Sequence, residues 1–477
     1  MERMHATQPT LADLIDALPA GADEAPRDGA SEIPAALLAE LAQRPIPTGR
    51  LTRLWSLGTL QAKIAAAYLA WWLRSGLQDA SARRRGLDEA HLAAAIQVVG
   101  RMSYLRGAVM KLGQVLAHWP DVLPIEFAAV LGRLHAEAPP MHFSLLREHV
   151  RRELGADPTE LFAEFETQAC AAASLGQVHR ARLKGSGRPV AVKIQYPDIA
   201  RTIQDDLRNL KAAAFGMRLS GDWENLLAQF DGIRAMLEAE ADYEQEAENL
   251  RLARRTLSGL EDVVVPRVVP ELSTRRVLTM DWVDGVHLDA FLASDPPQEL
   301  RDRHGAQIAR TSMRLWYRAR TVYADPHPGN YLFLADGRLG LIDLGCCYRF
   351  DEDEFRYVLE TERAALAGDE RAIEAAILFG CDLDDPRTVE PERLRKMREY
   401  CAWVWEPLLS DEPFDYRDPA QFAPGVRLYG EFTKRRWIRS LPVNVWLTRV
   451  FFGVRAMLTH LGARVPYGRI MREESPL

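Results

Sequence analysis

Long apolar runs are the first thing missing from this 477-residue chain. A bilayer-spanning helix needs about 20 predominantly apolar residues. The best stretch, Ile64 to Leu73, is ten long and flanked by Lys63 and Arg74, and the later one, Val443 to Leu458, is interrupted by Arg449 and Arg455. No spanning segment is expected. An excess of positive charge is also missing: 60 Lys and Arg against 67 Asp and Glu give a net charge of −7. Without a basic field, nucleic acid is not an expected partner. The five cysteines (Cys170, Cys346, Cys347, Cys381 and Cys401) are odd in number and show no C-x-x-C spacing, so neither a disulfide framework nor a zinc site is indicated. The vicinal Cys346-Cys347 pair reads as small buried residues, with redox sensitivity as the alternative. His179, His304 and His327 are unclustered, and His327 is given a structural role. Residues 1–45 have neither the Arg-rich, acid-poor composition of a mitochondrial leader nor the apolar core of a signal peptide. They are rich in Ala, Pro and acid, as in Pro19 to Pro26, and read as a mobile acidic tail on a bacterial-type cytoplasmic protein. No internal repeat is evident.

What is present is concentrated in a few short motifs. Asp325-Pro326-His327-Pro328-Gly329-Asn330 is followed, 13 positions after Asn330, by Asp343-Leu344-Gly345. This is the spacing of a kinase-fold phosphotransferase. In such enzymes the first Asp orients the attacking hydroxyl, while the Asn and the second Asp hold magnesium ions against the phosphates. Arg338 to Asp343 is apolar enough to be a buried strand that delivers Asp343 at its end. Upstream, Pro189-Val190-Ala191-Val192-Lys193-Ile194-Gln195 alternates around Lys193, the pattern of a strand whose lysine grips the α and β phosphates. Met236 to Asn249 is free of Gly and Pro and reads as one acidic helix. Its Glu240 and Glu246 point to different sides, so Glu246 is available to pair with Lys193 while Glu240 and Asp242 face elsewhere. Met280-Asp281-Trp282-Val283 reads as the hinge whose backbone holds adenine.

A glycine-rich phosphate loop is absent. Its place is taken by Ala171-Ala172-Ala173-Ser174-Leu175-Gly176. Alanine does not readily take positive φ and keeps the backbone farther from a ligand, so the nucleotide is expected to be held differently.

Together these residues resemble the UbiB-like (aarF-domain) atypical kinases, in the coenzyme-Q-biosynthesis branch. The resemblance runs from about Thr48 to about Glu474. It includes Lys111-Leu112-Gly113-Gln114 for the family's K-x-G-Q motif, the alanine-rich loop, Lys193, Glu240-Ala241-Asp242 for its E-x-D motif, Glu246, and the Asp411 to Asp415 segment. Leu344 departs from the Phe that is common there. Lys111 and Gln114 lie three apart on an expected helix, Leu92 to Leu116, and so share a face. The resemblance implies that this extension folds over the nucleotide cleft, with Lys111 meeting Glu240 and Asp242. It implies ATP or ADP and Mg2+ as cofactors, Asp325, Lys193 and Glu246 as catalytic residues, and Asn330 and Asp343 as metal ligands.

An ordinary protein kinase also needs an activation segment ending in Ala-Pro-Glu. Only Cys346 to Phe350 separates Asp343-Leu344-Gly345 from the acidic run that starts at Asp351, and no arginine precedes Asp325. Phosphorylation of proteins in trans is therefore not expected. The expected architecture is α+β, bilobal and kinase-like: a tail (1–45), a helical extension (46–155), a small lobe (156–284) with a helical insertion from Asp198 to about Gly232 and strands near Val263 to Val265 and Val277 to Met280, and a helical large lobe (285–477). The expected function is a Mg-ATP-binding ATPase or kinase that supports isoprenoid-quinone or related lipid biosynthesis. Membrane lipid and quinone-biosynthesis enzymes are the implied partners, and no oligomeric state is read. With Trp71 and Trp72 between cations, Ile64 to Leu73 either lies in a bilayer interface or packs on the core. Peripheral attachment at the inner face of the plasma membrane is the first option. The alternative functions are a nucleotide-binding pseudokinase scaffold and a small-molecule kinase.

Overall fold

A computed structural model describes residues 143–477, apart from residues 174, 198, 200–203, 205–233, 236, 381–388, 436, 438–441 and 477. The chain divides into two units, 1–141 with 198–220, and 142–197 with 221–477. The second is the one described below. The tail, the extension up to residue 142 with Lys111, Gly113 and Gln114, the Ile64 to Leu73 segment and nearly all of the insertion lie outside the described residues, as do Ser174 and Cys381.

Two helices lead in, α1 (Phe143–Leu154) and the single turn α2 (Pro158–Leu161), which Asp157 and Glu160 close with a reciprocal capping box. Strands β1 (Phe162–Phe165), β2 (Ala171–Ala173), β3 (Gly176–Leu183) and β4 (Pro189–Gln195) follow, then α3 (Tyr243–Thr256), β5 (Val263–Val264) and β6 (Val277–Asp281). An antiparallel sheet runs β1-β3-β4-β6, with β2 added to β3. Strand β4 is paired on both sides, and every residue after Pro189 is buried. Proline is tolerated there because it is the first residue of the strand. Strand alternation puts Val190, Val192 and Ile194 on one face and Ala191, Lys193 and Gln195 on the other.

The acidic segment differs from its expectation. Residues 237–240 are helical, the helix breaks at Ala241-Asp242, and α3 begins afresh at Tyr243. The cause is Asp242, whose carboxylate accepts the amides of Glu244 at 3.1 Å and Gln245 at 3.2 Å and so acts as an N-cap. The Val263 strand is also placed differently. Strand β5 joins no small-lobe neighbour and instead pairs in parallel with β9, which leads to Asp343. A run of valines sets burial but not which sheet receives it. Here Asp262 fixes the choice, its carbonyl accepting the Leu339 amide at 2.9 Å and the buried Gln307 side chain at 3.2 Å.

The large lobe continues with α4 (Leu288–Ala293), α5 (Gln298–Ala319), β7 (Thr321–Tyr323), β8 (Tyr331–Phe333), β9 (Leu339–Leu341) and β10 (Cys347–Arg349). Helix α5 stops at Arg320, whose φ of 47° turns the chain into β7. Strands β8 and β9 form a hairpin around Asp336-Gly337, with Gly337 at a φ of 80° that suits glycine. Strand β10 pairs with β7. Then come α6 (Glu352–Ala367), α7 (Glu370–Gly380), α8 (Pro391–Trp405), β11 (Phe414–Asp415), α9 (Ala423–Lys434), α10 (Pro442–Leu461), β12 (Arg464–Val465) and α11 (Tyr467–Glu474). Helix α11 is tied back to α5 through Glu474, which accepts from Arg314 at 2.9 Å and pairs with Arg318 at 2.8 Å. Among the described residues, no helix is long and apolar enough to cross a membrane.

Candidate active site

Lys193 projects from the middle of β4 and is 7% exposed. Its ammonium donates to both oxygens of Glu246 at 2.8 Å and to Oδ2 of Asp343 at 2.8 Å. Glu246 sits in the first turn of α3, whose positive dipole end favours a carboxylate. The Tyr243 ring lies beneath the ammonium, 4.9 Å from it. Two carboxylates thus face one cation, and the cluster carries one excess negative charge whenever Glu246 is ionised. Its titration reflects this. Burial and the Asp343 charge push Glu246 up to about 7, against the opposing pull of Lys193. Burial works against the lysine, but the Asp343 and Glu246 charges outweigh it and hold Lys193 well above its usual range. Burial also drives the Tyr243 phenol far upward, so it stays neutral.

The Asp325 to Asn330 and Asp343 to Cys346 segments are joined by backbone. The Ile342 amide donates to Asn330 O at 3.1 Å, and the Ala324 amide to Cys346 O at 2.9 Å. Asn330 donates its side-chain amide to Asp325 O at 2.8 Å, which leaves its amide oxygen as the atom available to a cation. Asp343 Oδ1 accepts the Gly345 amide at 3.0 Å. Sequence reasoning missed two residues that hold these segments. Asn249 on α3 donates to Leu344 O at 2.9 Å, tying the lysine-pairing helix to the metal loop. Arg449 on α10 donates to Ala324 O at 2.7 Å and to Asp325 Oδ1 at 3.2 Å, and its side chain is 11% exposed. Burial opposes its charge, but Cys346 and the Asp325 and Glu240 carboxylates raise it further.

The oxygen donors here suit a hard divalent cation, and magnesium is commonly held by one or two carboxylates plus substrate phosphates. Among the described residues, no group of three or more His, Cys, Asp or Glu forms a metal cage. Asn330 and Asp343, beside an excess negative charge, fit a nucleotide-borne ion and not a protein-only site.

Other expected residues are placed as follows. The alanine segment is not a loop. Ala171, Ala172 and Ala173 pair with Val178, Gln177 and Gly176 as a tight hairpin. Alanine, without easy access to positive φ, takes the extended form. Gly176 serves sheet packing, since a Cβ there would stand 2.1 Å from Ile194 O. In the hinge, Met280 is paired with Ala191, the Asp281 amide goes to Arg267 O and the Trp282 amide to Pro189 O. The Asp281 carboxylate pairs with Arg188 at 2.5 Å and with Arg267 at 3.7 Å. The Val283 side chain packs against Gly340, where a Cβ would come within 3.0 Å of its Cγ1, beside the strand that leads to Asp343. Glu240 is buried, and its charge acts on Glu246 and Arg449. Asp242, besides capping α3, pairs with Arg275 at 3.0 Å. His327 accepts the Gly329 amide at 3.1 Å. Burial pushes the Cys347 thiol well up, which disfavours its thiolate.

Residues 133–377 match the ABC1 atypical kinase-like domain. The chain is similar to the rat protein named atypical kinase COQ8B, mitochondrial, with 31% identity over 381 residues, 77% of this chain and 69% of that one. It is also similar to an uncharacterised protein of Synechocystis, sll0005, with 33% identity over 278 residues, 58% of this chain and 39% of that one. This chain spans only 39%, 62% and 53% of the length of three of the curated relatives it matches. Among solved structures it is similar to Rv3197 of Mycobacterium tuberculosis, described as a complex with erythromycin. There the identity is 26%, the TM-score 0.56, and the match covers 82% of this chain and 97% of that one. With that match over half of its residues and the lysine, glutamate and two-aspartate cluster in place, the chain belongs to the ABC1 (aarF-domain, UbiB-like) atypical kinase family.

Proposed function

We propose that the protein binds a magnesium nucleotide between β4 and the Asp325 to Gly345 segments and hydrolyses ATP in support of isoprenoid-quinone or related lipid biosynthesis. The observation that carries this reading is the Lys193 ammonium held between Glu246 and Asp343. Lys193 binds the α and β phosphates and Glu246 orients it. Val283 offers backbone to adenine. Asn330 and Asp343 hold the magnesium, which when bound neutralises phosphate charge. Asp325, fixed by Arg449 and Asn330, orients the attacking oxygen. In this arrangement residues 156–284 supply the small lobe, except that β5 joins the sheet of β9, and 285–477 supply the large lobe. The likeness to the COQ8B relatives supports the pathway part of this reading, and pathway enzymes and a lipid surface at the inner face of the plasma membrane are proposed with it as partners.

The test is phosphate release from Mg-ATP by the purified protein, with and without anionic liposomes, beside Asp343→Asn. The expected result is turnover that liposomes stimulate and the variant loses by about 100-fold or more, as for loss of a group that stabilises transition-state charge. Turnover unchanged in the variant would overturn the reading. A second reading, a nucleotide-binding scaffold without turnover, is favoured by one contact. Lys193 engages Asp343 Oδ2, an oxygen that a metal would otherwise use. Magnesium-dependent nucleotide binding with no phosphate release would select it. Because Rv3197 is described with erythromycin, a macrolide belongs in the binding panel.

A further inference from the structure

The catalytic loop is held from outside by a bare stretch of helix α10. At Gly453 a Cβ would stand 2.3 Å from Cγ of Pro326, 3.0 Å from its Cδ and 3.7 Å from its Cβ. Real Cβ contacts do not fall below about 3 Å, so the proline ring rests on helix backbone. Pro326 directly follows Asp325 and is buried. One helical turn earlier, Arg449 donates to Ala324 O at 2.7 Å and Asp325 Oδ1 at 3.2 Å. Positions four apart share a helix face, so one face of α10 holds the residues on both sides of Asp325. Glycine inside a helix costs about 0.5–1 kcal/mol relative to alanine, and the ring against Gly453 is what offsets it.

We propose that Gly453 is a positioning residue that sets the distance of Asp325 from the nucleotide, with Pro326 as the transmitting group. The inference rests on the reading of Asp325 as the group that orients the attacking oxygen. A methyl at Gly453 must push the ring away by about 1 Å to reach ordinary van der Waals contact. Misplacement of about 1 Å costs on the order of 100-fold in rate. Nucleotide affinity is assigned to Lys193 on β4, Glu246 on α3 and Val283 in the hinge, and not to the Asp325 loop that α10 holds, so the loss should fall on kcat and not on KM.

The experiment compares wild type, Gly453→Ala, Pro326→Ala and the double variant in phosphate release from Mg-ATP. It adds hydrogen exchange of peptides covering residues 320–334. Pro326→Ala removes the two ring atoms nearest position 453 and leaves only an ordinary contact. Gly453→Ala is expected to lose kcat by about 100-fold with KM within about 2-fold. The double variant is expected to return to within a few-fold of Pro326→Ala alone, a coupling that general loss of stability would not give. Wild-type kcat in Gly453→Ala, or no recovery in the double variant, would overturn the inference. Absence of turnover in wild type would remove the ATPase reading, and exchange then decides on positioning. Faster exchange of the Ala324 and Asn330 amides in Gly453→Ala, reversed by Pro326→Ala, supports it, and unchanged exchange overturns it.

Discussion

Glu246→Gln separates the cost of burying a carboxylate from the benefit of pairing it with Lys193. Glu246 is 1% exposed, and its pKa rises from 4.5 to about 7, chiefly through burial and then through the Asp343 charge. In the unfolded chain the group returns to its ordinary value. A carboxyl whose folded pKa is raised contributes stability that is fully present below the unfolded pKa, here about 4.5, and that is lost as pH rises through the folded value near 7. At about 1.36 kcal/mol per unit, wild type loses about 2.5 kcal/mol between pH 5 and 8 from this group. Glutamine has the shape of the protonated acid and cannot ionise, so Glu246→Gln escapes that loss. The variant should resemble wild type near pH 5 and exceed it in nucleotide-free stability at pH 8, by up to about 3 kcal/mol. Its turnover should nevertheless fall, because Lys193 is then left to Asp343 alone. Urea unfolding midpoints of both proteins at half-unit intervals from pH 5 to 8 make the comparison. A stability difference that stays constant across that range would refute the reasoning and show that Lys193 keeps Glu246 ionised throughout.

Gly176→Ala places a methyl 2.1 Å from a backbone carbonyl that cannot swing aside. It should cost about 1–3 kcal/mol or more, seen as a lower thermal midpoint, with loss of nucleotide binding because β4 carries Lys193. Arg449→Ala removes the guanidinium that donates to Ala324 O and Asp325, at about 1.5–3 kcal/mol. Phosphate release should drop sharply and recover only in part with Arg449→Lys, whose single ammonium cannot reach both acceptors. Asn249→Ala removes the amide donor to Leu344 O at a cost of about 1 kcal/mol and should raise the magnesium concentration needed for half-maximal nucleotide binding, as titration with a fluorescent nucleotide would show.

Chemistry-bearing motifs were legible in the sequence wherever one strand or turn carries the signal. Lys193 announces itself by alternation on β4, and Asp325, Asn330 and Asp343 by their spacing. Contacts made between distant segments were not. Arg449 read as a break in an apolar run, whereas an arginine among the buried positions of a helix needs a partner. That partner lies 124 residues away in sequence. Asn249 gave no signal, since its partner is a backbone carbonyl on another element. The single acidic helix failed because Asp242 is a better cap than a helix interior residue. The alanine segment was placed correctly along the chain, but its extended hairpin depended on pairing with β3, and β5 found its parallel partner only once β9 was in place.

The distance along the chain between Asp325 and Arg449 has a consequence for synthesis. A ribosome adding about 5–20 residues per second releases the catalytic loop roughly 6–25 s before helix α10 can grip it. Helix α11, which ties back onto α5, emerges later still. The nascent chain therefore carries Lys193 and Asp343 well before its reactive carboxylate is locked. On the proposed function, chaperones and early nucleotide meet an unfinished site, which becomes complete only after the C-terminal helices have docked.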